Sequence, residues 1–135
     1  MNKPTIYAVD FDGTLCENAW PEIGRPNESL IRMLIRTRAS GDKVILWTCR
    51  SDDQLDRAVA WCKERGLEFD AVNDNLPEII EAFGGNSRKI FANCYIDDLS
   101  VTPQSLIPRT SKSEILRRNA AINAARRKRL ERTTK

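Results

Sequence analysis

Residues 5–15 read TIYAVDFDGTL, an apolar run that ends in two aspartates two positions apart. A short run without polar alternation predicts a parallel strand that is covered on both faces. Asp10 and Asp12 then project to the same side of an extended chain, whereas Phe11 points back toward the core. The stretch therefore predicts a buried first strand with two carboxylates at its carboxyl end.

Further strands alternate with helices along the next 90 or so residues. Strands are predicted at residues 5–9, 44–48, 69–73 and 90–96, and helices between Asn27 and Gly41, between Ser51 and Gly66, and at 77–83. Residues 13–26 contain two prolines and two glycines, and they predict a turn-rich flap without regular structure. The alternation predicts an α/β fold with a Rossmann-like, three-layer open parallel sheet and right-handed crossovers.

Polar side chains stand at the ends of three of these strands, which is where open parallel sheets bind their ligands. The first strand is followed by Asp10, Asp12, Gly13 and Thr14, the second ends at Thr48 with Arg50 beyond it, and the fourth is followed by Asp97 and Asp98. Four carboxylates that lie so near to one another repel each other, and a hard divalent cation would relieve the repulsion. Oxygen ligands of this kind suit Mg²⁺ together with a substrate phosphate.

This set of residues can carry out phosphoryl transfer. One aspartate can attack phosphorus to give an aspartyl-phosphate, and the other can protonate the departing oxygen. Lys89 can supply positive charge to the phosphate, Thr48 a hydroxyl hydrogen bond, and the backbone at Gly13 and Thr14 free N–H groups. The chain has no histidine, which excludes imidazole-based hydrolysis and His-ligated zinc, and this scheme needs none.

Each element also has an ordinary structural interpretation. An Asp-x-Asp at a strand end is usually a turn former, and Asp97-Asp98 is weaker still as a signal. Thr48 and Lys89 mean little singly. Their joint occurrence at the ends of three strands favours a functional site.

The motifs resemble those of a known superfamily. DFDGTL at residues 10–15, LWT at 46–48, Lys89 and YIDD at 95–98 are similar to the four motifs of the haloacid dehalogenase-like hydrolases, over about residues 5–100. The resemblance implies a Mg²⁺-dependent phosphatase of this superfamily rather than a dehalogenase, because position 12 is an aspartate.

The resemblance also implies a role for each matched residue. Asp10 would be the nucleophile and a metal ligand, and Asp12 the acid/base with its backbone carbonyl on Mg²⁺. Thr48 and Lys89 would hold the transferring phosphoryl group. Asp97 would bind the metal directly, and Asp98 would bind it through water or as a second ligand.

No cap domain is expected over the site, because the segments 13–26 and 74–88 are too short for one. An open site admits nucleotides, small sugar phosphates, and phosphate borne by nucleic acid or protein. Trp20 on the flap could stack on a base or ring, or it could pack the flap against the body. Arg50 could bind a second anionic group, or it could form a surface salt bridge.

Charge divides the chain into two parts. Residues 1–108 carry 12 basic and 17 acidic side chains, a net charge of −5, and this part is predicted to be the catalytic domain. Residues 109–135 carry 10 basic and 2 acidic side chains, a net charge of +8. The second part predicts a basic helical tail, in which Arg126–Arg129 could track a nucleic-acid backbone electrostatically. A solvated or self-associating helix is the plainer interpretation.

Two other functions stay open from the sequence. The chain could be a nucleic-acid-binding protein with a vestigial hydrolase-like fold, or a phosphotransferase that uses the same aspartyl-phosphate. The vestigial fold is disfavoured because the motif residues are intact, namely Asp10, Asp12, Lys89 and Asp97. An uncovered, wet site argues against the second.

Cysteine usage and hydropathy predict a cytoplasmic protein without a membrane partner. Cys16, Cys49, Cys62 and Cys94 form no C-x-x-C pair and are expected to be reduced. No targeting signal is recognisable at the start of the sequence, and no apolar run approaches the ~18 residues of a membrane span.

Overall fold

The computed structural model describes residues 3–106 and 112–133, and a parallel sheet lies at the centre of the first range. The strands are β1 (Ile6–Val9), β2 (Cys16–Ala19), β3 (Glu22–Pro26), β4 (Lys43–Leu46), β5 (Ala71–Val72) and β6 (Cys94–Ile96). The helices are α1 (Glu28–Ala39), α2 (Asp52–Glu64), α3 (Pro77–Phe83) and α4 (Lys112–Thr133), and a 3₁₀ turn spans Pro103–Leu106.

The sheet has the strand order β5-β4-β1-β6, and all its pairs are parallel. In this sheet β4 lies next to β1 and β5 lies next to β4, all on one side of β1. The chain then returns, and β6 pairs with β1 on its other side. Strand order therefore reverses at β1, and a crevice forms at such a switch point beyond the carboxyl ends of the strands. The predicted α/β fold with an open parallel sheet is confirmed at this level.

Apolar side chains from the sheet enter two separate cores, one on each face. Val9, Val44 and Leu46 lie in a core with residues of α1 and α2. Ile6, Ala8 and Ile45 lie in a second core, against which Ile79 of α3 packs. The alternation along β1 and β4 follows from the two-residue period of a strand, and it explains why these strands are apolar throughout. Three layers result, as the sequence predicted.

The helices begin and end near the predicted residues. Asn27 caps α1 by accepting a hydrogen bond from the backbone N–H of Leu30 at 3.3 Å. Ser51 is the N-cap residue of α2, and Gly84 ends α3 in the left-handed conformation.

The sequence prediction was wrong about the flap and about the length of two strands. Residues 13–26 contain an antiparallel hairpin, β2–β3, not an irregular flap. The strand predicted at 90–96 begins only at Cys94, because side-chain amides take backbone N–H groups before it. Asn93 Oδ1 accepts a hydrogen bond from the N–H of Ile6 at 2.7 Å. Asn75 Oδ1 accepts a hydrogen bond from the N–H of Phe91 at 2.7 Å. The strand predicted at 69–73 is reduced to Ala71–Val72.

The described chain divides into two units between Ser100 and Val101. The boundary predicted after Pro108 lies outside the described residues. Among residues 3–100, the hairpin after β1 and the short α3 segment before β6 belong to one compact unit. Within the described ranges, no helix has both the length and the hydropathy of a membrane span.

Candidate active site

A cavity of about 560 Å³ opens at the carboxyl ends of β1, β4 and β6. Its lining consists of Asp10, Asp12, Asn18, Trp20, Thr48, Cys49, Arg50, Asp97, Asp98, Leu99 and Ser100. The strand order brings these segments together, because β1 lies between β4 and β6. The cavity thus combines the predicted strand ends with the tip of the β2–β3 hairpin.

Three carboxylates form one cluster at the β1 and β6 side of the cavity. Oxygen atoms of Asp10, Asp97 and Asp98 all lie within 4.8 Å of one another. This spacing suits several oxygen ligands around one hard cation. Three of the four predicted metal-binding residues therefore meet through their side chains, whereas Asp12 is not in the cluster.

Burial and like charge act together on Asp10. They raise the pKa of this carboxyl to about 6, with desolvation as the largest cause and the charges of Asp97 and Asp98 adding to it. The hydroxyl of Thr14 donates a hydrogen bond to Asp10 Oδ2 at 3.0 Å, which opposes the rise in pKa. The cluster therefore has negative charge that the side chains around it do not balance, and a bound cation would lower this cost.

Thr14 joins the two strand ends that carry the cluster. Its hydroxyl oxygen also accepts the backbone N–H of Asp98 at 3.1 Å, and the side chain is 8% exposed. Gly13 has a φ of +85°, and a methyl group built there would collide with the Asp98 carboxylate. Glycine at 13 and threonine at 14 therefore set the distance between β1 and β6 at the cluster.

This geometry corrects the role predicted for Gly13 and Thr14. The sequence predicted free backbone N–H groups for a substrate, yet Gly13 N donates to Cys16 O at 2.9 Å and Thr14 N donates to Phe11 O at 3.1 Å. Neither residue lines the cavity. The loop uses its own donors to close the turn after β1, so both residues are positioning residues here.

Asp12 lies in the other half of the site, where Arg50 holds it. Arg50 Nε donates to Asp12 Oδ2 at 2.8 Å and its terminal nitrogen donates to Asp12 Oδ1 at 2.7 Å. This is a bidentate, charge-assisted pair, the strongest common hydrogen-bond geometry for a carboxylate. The hydrogen bond to Asp12 is also the main reason that the pKa of Arg50 is raised.

Arg50 is 2% exposed and also holds the hairpin. It donates to the carbonyl oxygens of Pro21 at 3.3 Å and Glu22 at 3.1 Å. Its guanidinium carbon lies 5.0 Å from the ring centre of Phe11 and 4.8 Å from that of Trp20. Both predictions for Arg50, a substrate anion site and a surface salt bridge, are corrected, because its donors are used within a buried network.

Thr48 lines the cavity, and its hydroxyl group is free to donate a hydrogen bond to a ligand there. Its backbone N–H donates to Asn73 Oδ1 at 2.8 Å, and its hydroxyl oxygen accepts the N–H of Arg50 at 3.1 Å. Since that oxygen serves as an acceptor inside the protein, the hydroxyl hydrogen can be directed to a ligand.

Lys89 is the predicted phosphate-binding residue that the structure does not bring into the cavity. The residue is exposed, and its ammonium nitrogen lies 5.3 Å from the ring centre of Tyr95. Lys89 does not belong to the cavity lining.

Four lining residues were missed by the sequence analysis: Asn18, Cys49, Leu99 and Ser100. Cys49 and Leu99 directly follow the predicted residues Thr48 and Asp98, and Ser100 follows Leu99, so their position after strand ends was an available signal. Asn18 had none, because it lies on β2, a strand that was predicted to be irregular chain. Trp20, for which stacking on a base or ring and packing of the flap against the body were both left open, lines the cavity and is 57% exposed.

Among solved structures, this chain is similar to one described as a conserved protein coded by a locus of Bacteroides thetaiotaomicron, with a TM-score of 0.65 and 33% sequence identity. The match covers 84% of this chain and 98% of that one. The chain therefore belongs to the same family as this conserved bacterial protein. No protein-family profile and no curated protein matches the chain. The description of the relative names no activity, and the function is inferred from the site.

Proposed function

We propose that the protein is a Mg²⁺-dependent phosphomonoester hydrolase of the haloacid dehalogenase-like superfamily, with Asp10 as the nucleophile. The observation that carries the proposal is the cluster of Asp10, Asp97 and Asp98 oxygens within 4.8 Å at the switch point of the sheet. Nucleotides and phosphate carried by nucleic acid or protein are the substrates that an open cavity admits.

The donor set of the cluster fits Mg²⁺. It offers carboxylate oxygens at one point, and it lacks the sulfur and imidazole ligands that softer metals prefer. Asp10, Asp97 and Asp98 would hold the ion. Bound there, it would neutralise the carboxylates and the phosphate oxygens that approach them.

Asp10 and Asp12 divide the chemistry between them. A carboxylate oxygen of Asp10 attacks phosphorus, the ester P–O bond breaks, and the departing oxygen takes a proton from Asp12. Water then attacks phosphorus, one of its protons passes to Asp12, and the bond to Asp10 breaks to release orthophosphate. The hydroxyl of Thr48 donates a hydrogen bond to a non-bridging oxygen in both halves of the cycle.

Arg50 constrains how Asp12 acts in this scheme. Both Asp12 oxygens accept hydrogen bonds from Arg50 in this structure. The oxygen that carries the transferred proton must therefore release its Arg50 N–H when substrate is bound. Arg50 holds Asp12 in a fixed orientation between turnovers. Lys89 has no role in this scheme, because it does not line the cavity.

The test is phosphate release from a generic aryl phosphate in the presence of Mg²⁺. Asp10→Asn keeps the size of the side chain and removes the nucleophile, so we expect the rate to fall by at least roughly 10³-fold. Asp56→Asn, an exposed carboxylate on α2, is the matched control and should leave the rate unchanged. Equal rates for Asp10→Asn and the native protein would exclude the mechanism.

We propose, separately, that α4 makes electrostatic contact with nucleic acid. Its residues 116–132 are exposed, and they include seven basic side chains and one acidic one. We expect a full-length variant with Arg126, Arg127, Lys128 and Arg129 all changed to glutamine to lose salt-dependent RNA or DNA binding while keeping phosphatase activity. Binding that survives in that variant would remove this proposal, and binding without any turnover would favour a vestigial fold.

A reducing, cytoplasmic setting is part of the same proposal. All four cysteines are free thiols, and two of them are exposed. Exposed thiols persist in compartments that keep cysteine reduced.

A further inference from the structure

The cavity lining combines carboxylates with apolar side chains. Asp10, Asp97 and Asp98 form the carboxylate cluster, Leu99 directly follows Asp98, and Trp20 lies at the hairpin against Arg50. Trp20 and Leu99 are well exposed, at 57% and 87%. A substrate whose phosphate is held at the carboxylate cluster would therefore find apolar surface in the same cavity.

The cavity offers little to a second anionic group. Among the described residues that line it, Arg50 is the one cationic side chain, and its N–H groups are directed to Asp12, Pro21, Glu22 and Gln54. A diphosphate or a sugar bisphosphate would bring a charge that this lining does not meet. An uncharged group beyond the phosphate is the better match.

Trp20 is held in place, and yet more than half of it stays exposed. The guanidinium of Arg50 lies over its ring, with its central carbon 4.8 Å from the ring centre. The same guanidinium bonds the carbonyl oxygens of Pro21 and Glu22, the two residues that follow Trp20. The indole is thus anchored by contacts on both its ring and its neighbouring backbone, and an anchored ring loses little freedom when a ligand stacks on it.

We propose that Trp20 is a stacking platform that selects phosphomonoesters with a planar aromatic or heteroaromatic group, such as aryl phosphates and nucleoside monophosphates. This inference rests on the proposed phosphatase function and names its substrate class. The phosphate binds at the carboxylate cluster, and the planar group lies on the indole. Stacking of a flat ring on an aromatic side chain is worth about a ten-fold change in affinity or more.

The test compares two esters that differ in the ring, which is planar and aromatic in benzyl phosphate and puckered and saturated in cyclohexylmethyl phosphate. Both have a primary alcohol as the leaving group and nearly the same size. We expect the native protein to have the higher kcat/KM for benzyl phosphate. Trp20→Ala should lower kcat/KM for benzyl phosphate about ten-fold and change it much less for cyclohexylmethyl phosphate, whereas Trp20→Phe should keep most of the preference.

Two controls make the result specific. Phe83→Ala removes an aromatic side chain that is 58% exposed and does not line the cavity, and it should leave the ratio of the two kcat/KM values unchanged. Any effect of Trp20→Ala on Asp12 through Arg50 would lower both rates together. The ratio of the two kcat/KM values therefore isolates stacking from a general loss of activity.

A binding measurement separates this inference from the proposed function. Benzylphosphonate has no ester bond to cleave, and its binding to the full chain in Mg²⁺ can be followed by calorimetry. Turnover of both esters with the same ratio in the native protein and Trp20→Ala would overturn the platform and leave the phosphatase standing. If neither ester is turned over but benzylphosphonate binds in a Trp20-dependent way, the platform stands and the phosphatase function is overturned. If there is neither turnover nor Trp20-dependent binding, the platform and the phosphatase function are both overturned.

Discussion

The two halves of the cavity handle charge in opposite ways. On the hairpin side, Asp12 is paired with Arg50 through two hydrogen bonds of 2.8 and 2.7 Å. On the β6 side, Asp10 lies near Asp97 and Asp98, and the ion pairs found among the described residues include none with these three carboxylates. One half has its charge balanced by a buried ion pair, and the other half does not.

Under the proposed function, this difference separates scaffold from reaction centre. The Arg50 network fixes the hairpin and the orientation of Asp12 before any substrate arrives. The carboxylate cluster keeps an unbalanced charge, and burial together with the neighbouring charges of Asp97 and Asp98 raises the pKa of Asp10 to about 6. Unbalanced charge costs stability, and sites that bind ions and substrates commonly carry such a cost.

The largest effect on stability is expected from breaking the balanced half. Arg50→Ala leaves Asp12 without its partner and removes the contacts to Pro21 and Glu22. Loss of one member of a buried pair costs about 3–5 kcal/mol. We expect a loss at the lower end of that range, about 3 kcal/mol, because the side chain of Asp12 is 20% exposed. Urea unfolding measures it.

The surface pair of Arg57 with Glu22 is the matched control. Its side chains are 52% and 72% exposed, and Arg57→Ala should cost about 1 kcal/mol or less. Equal losses for Arg50→Ala and Arg57→Ala would mean that the hairpin side is not held by the buried network.

A smaller stabilisation is expected from Mg²⁺ on the unbalanced half. A ligand at about 100 times its dissociation constant stabilises the folded state by about 2.7 kcal/mol. We expect Mg²⁺ to raise the melting temperature at constant ionic strength, and Asp97→Asn with Asp98→Asn to abolish that rise. Stabilisation by Mg²⁺ that persists in the double variant would place the ion elsewhere.

The smallest effect concerns two thiols, one in the hairpin and one in the cavity lining. Cys16, on β2, is buried, and burial raises the pKa of its thiol, whereas Cys49 is an exposed residue of the cavity lining. Iodoacetamide should therefore label Cys49 in the native protein and spare Cys16. Mg²⁺ with phosphate should slow labelling of Cys49. Rapid labelling of Cys16, followed by peptide mass spectrometry, would show that the hairpin side opens.

Much of the fold follows from local sequence, whereas the site depends on pairings that local sequence does not contain. The apolar runs and Asn27 predict strands and a helix start, because burial on both faces and capping act over a few residues. Arg50 and Asp12 are 38 positions apart, and their contact requires β1 and β4 to be neighbours. A charged residue beyond a strand end gives no sign of which carboxylate it meets.

The hairpin and the strand before β6 show the same limit. Turn-forming residues between 13 and 26 suggested an irregular flap, yet β2 and β3 pair with each other and are then held by Arg50. Asn93 was included in a strand, and its backbone N–H donates to Ile6 O at 2.8 Å, but the N–H of Ile6 donates to the Asn93 side chain and not to a backbone carbonyl. Side-chain amides that replace backbone pairing cannot be recognised from strand propensity.

The central claim is that Asp10 becomes covalently phosphorylated. The most direct measurement is rapid acid quenching of the native protein during turnover of benzyl phosphate with Mg²⁺, followed by peptide mass spectrometry. We expect one phosphoryl group on the peptide that contains Asp10, and no such group in Asp10→Asn. Turnover with the phosphoryl group on another residue, or sustained turnover by Asp10→Asn, would contradict the account.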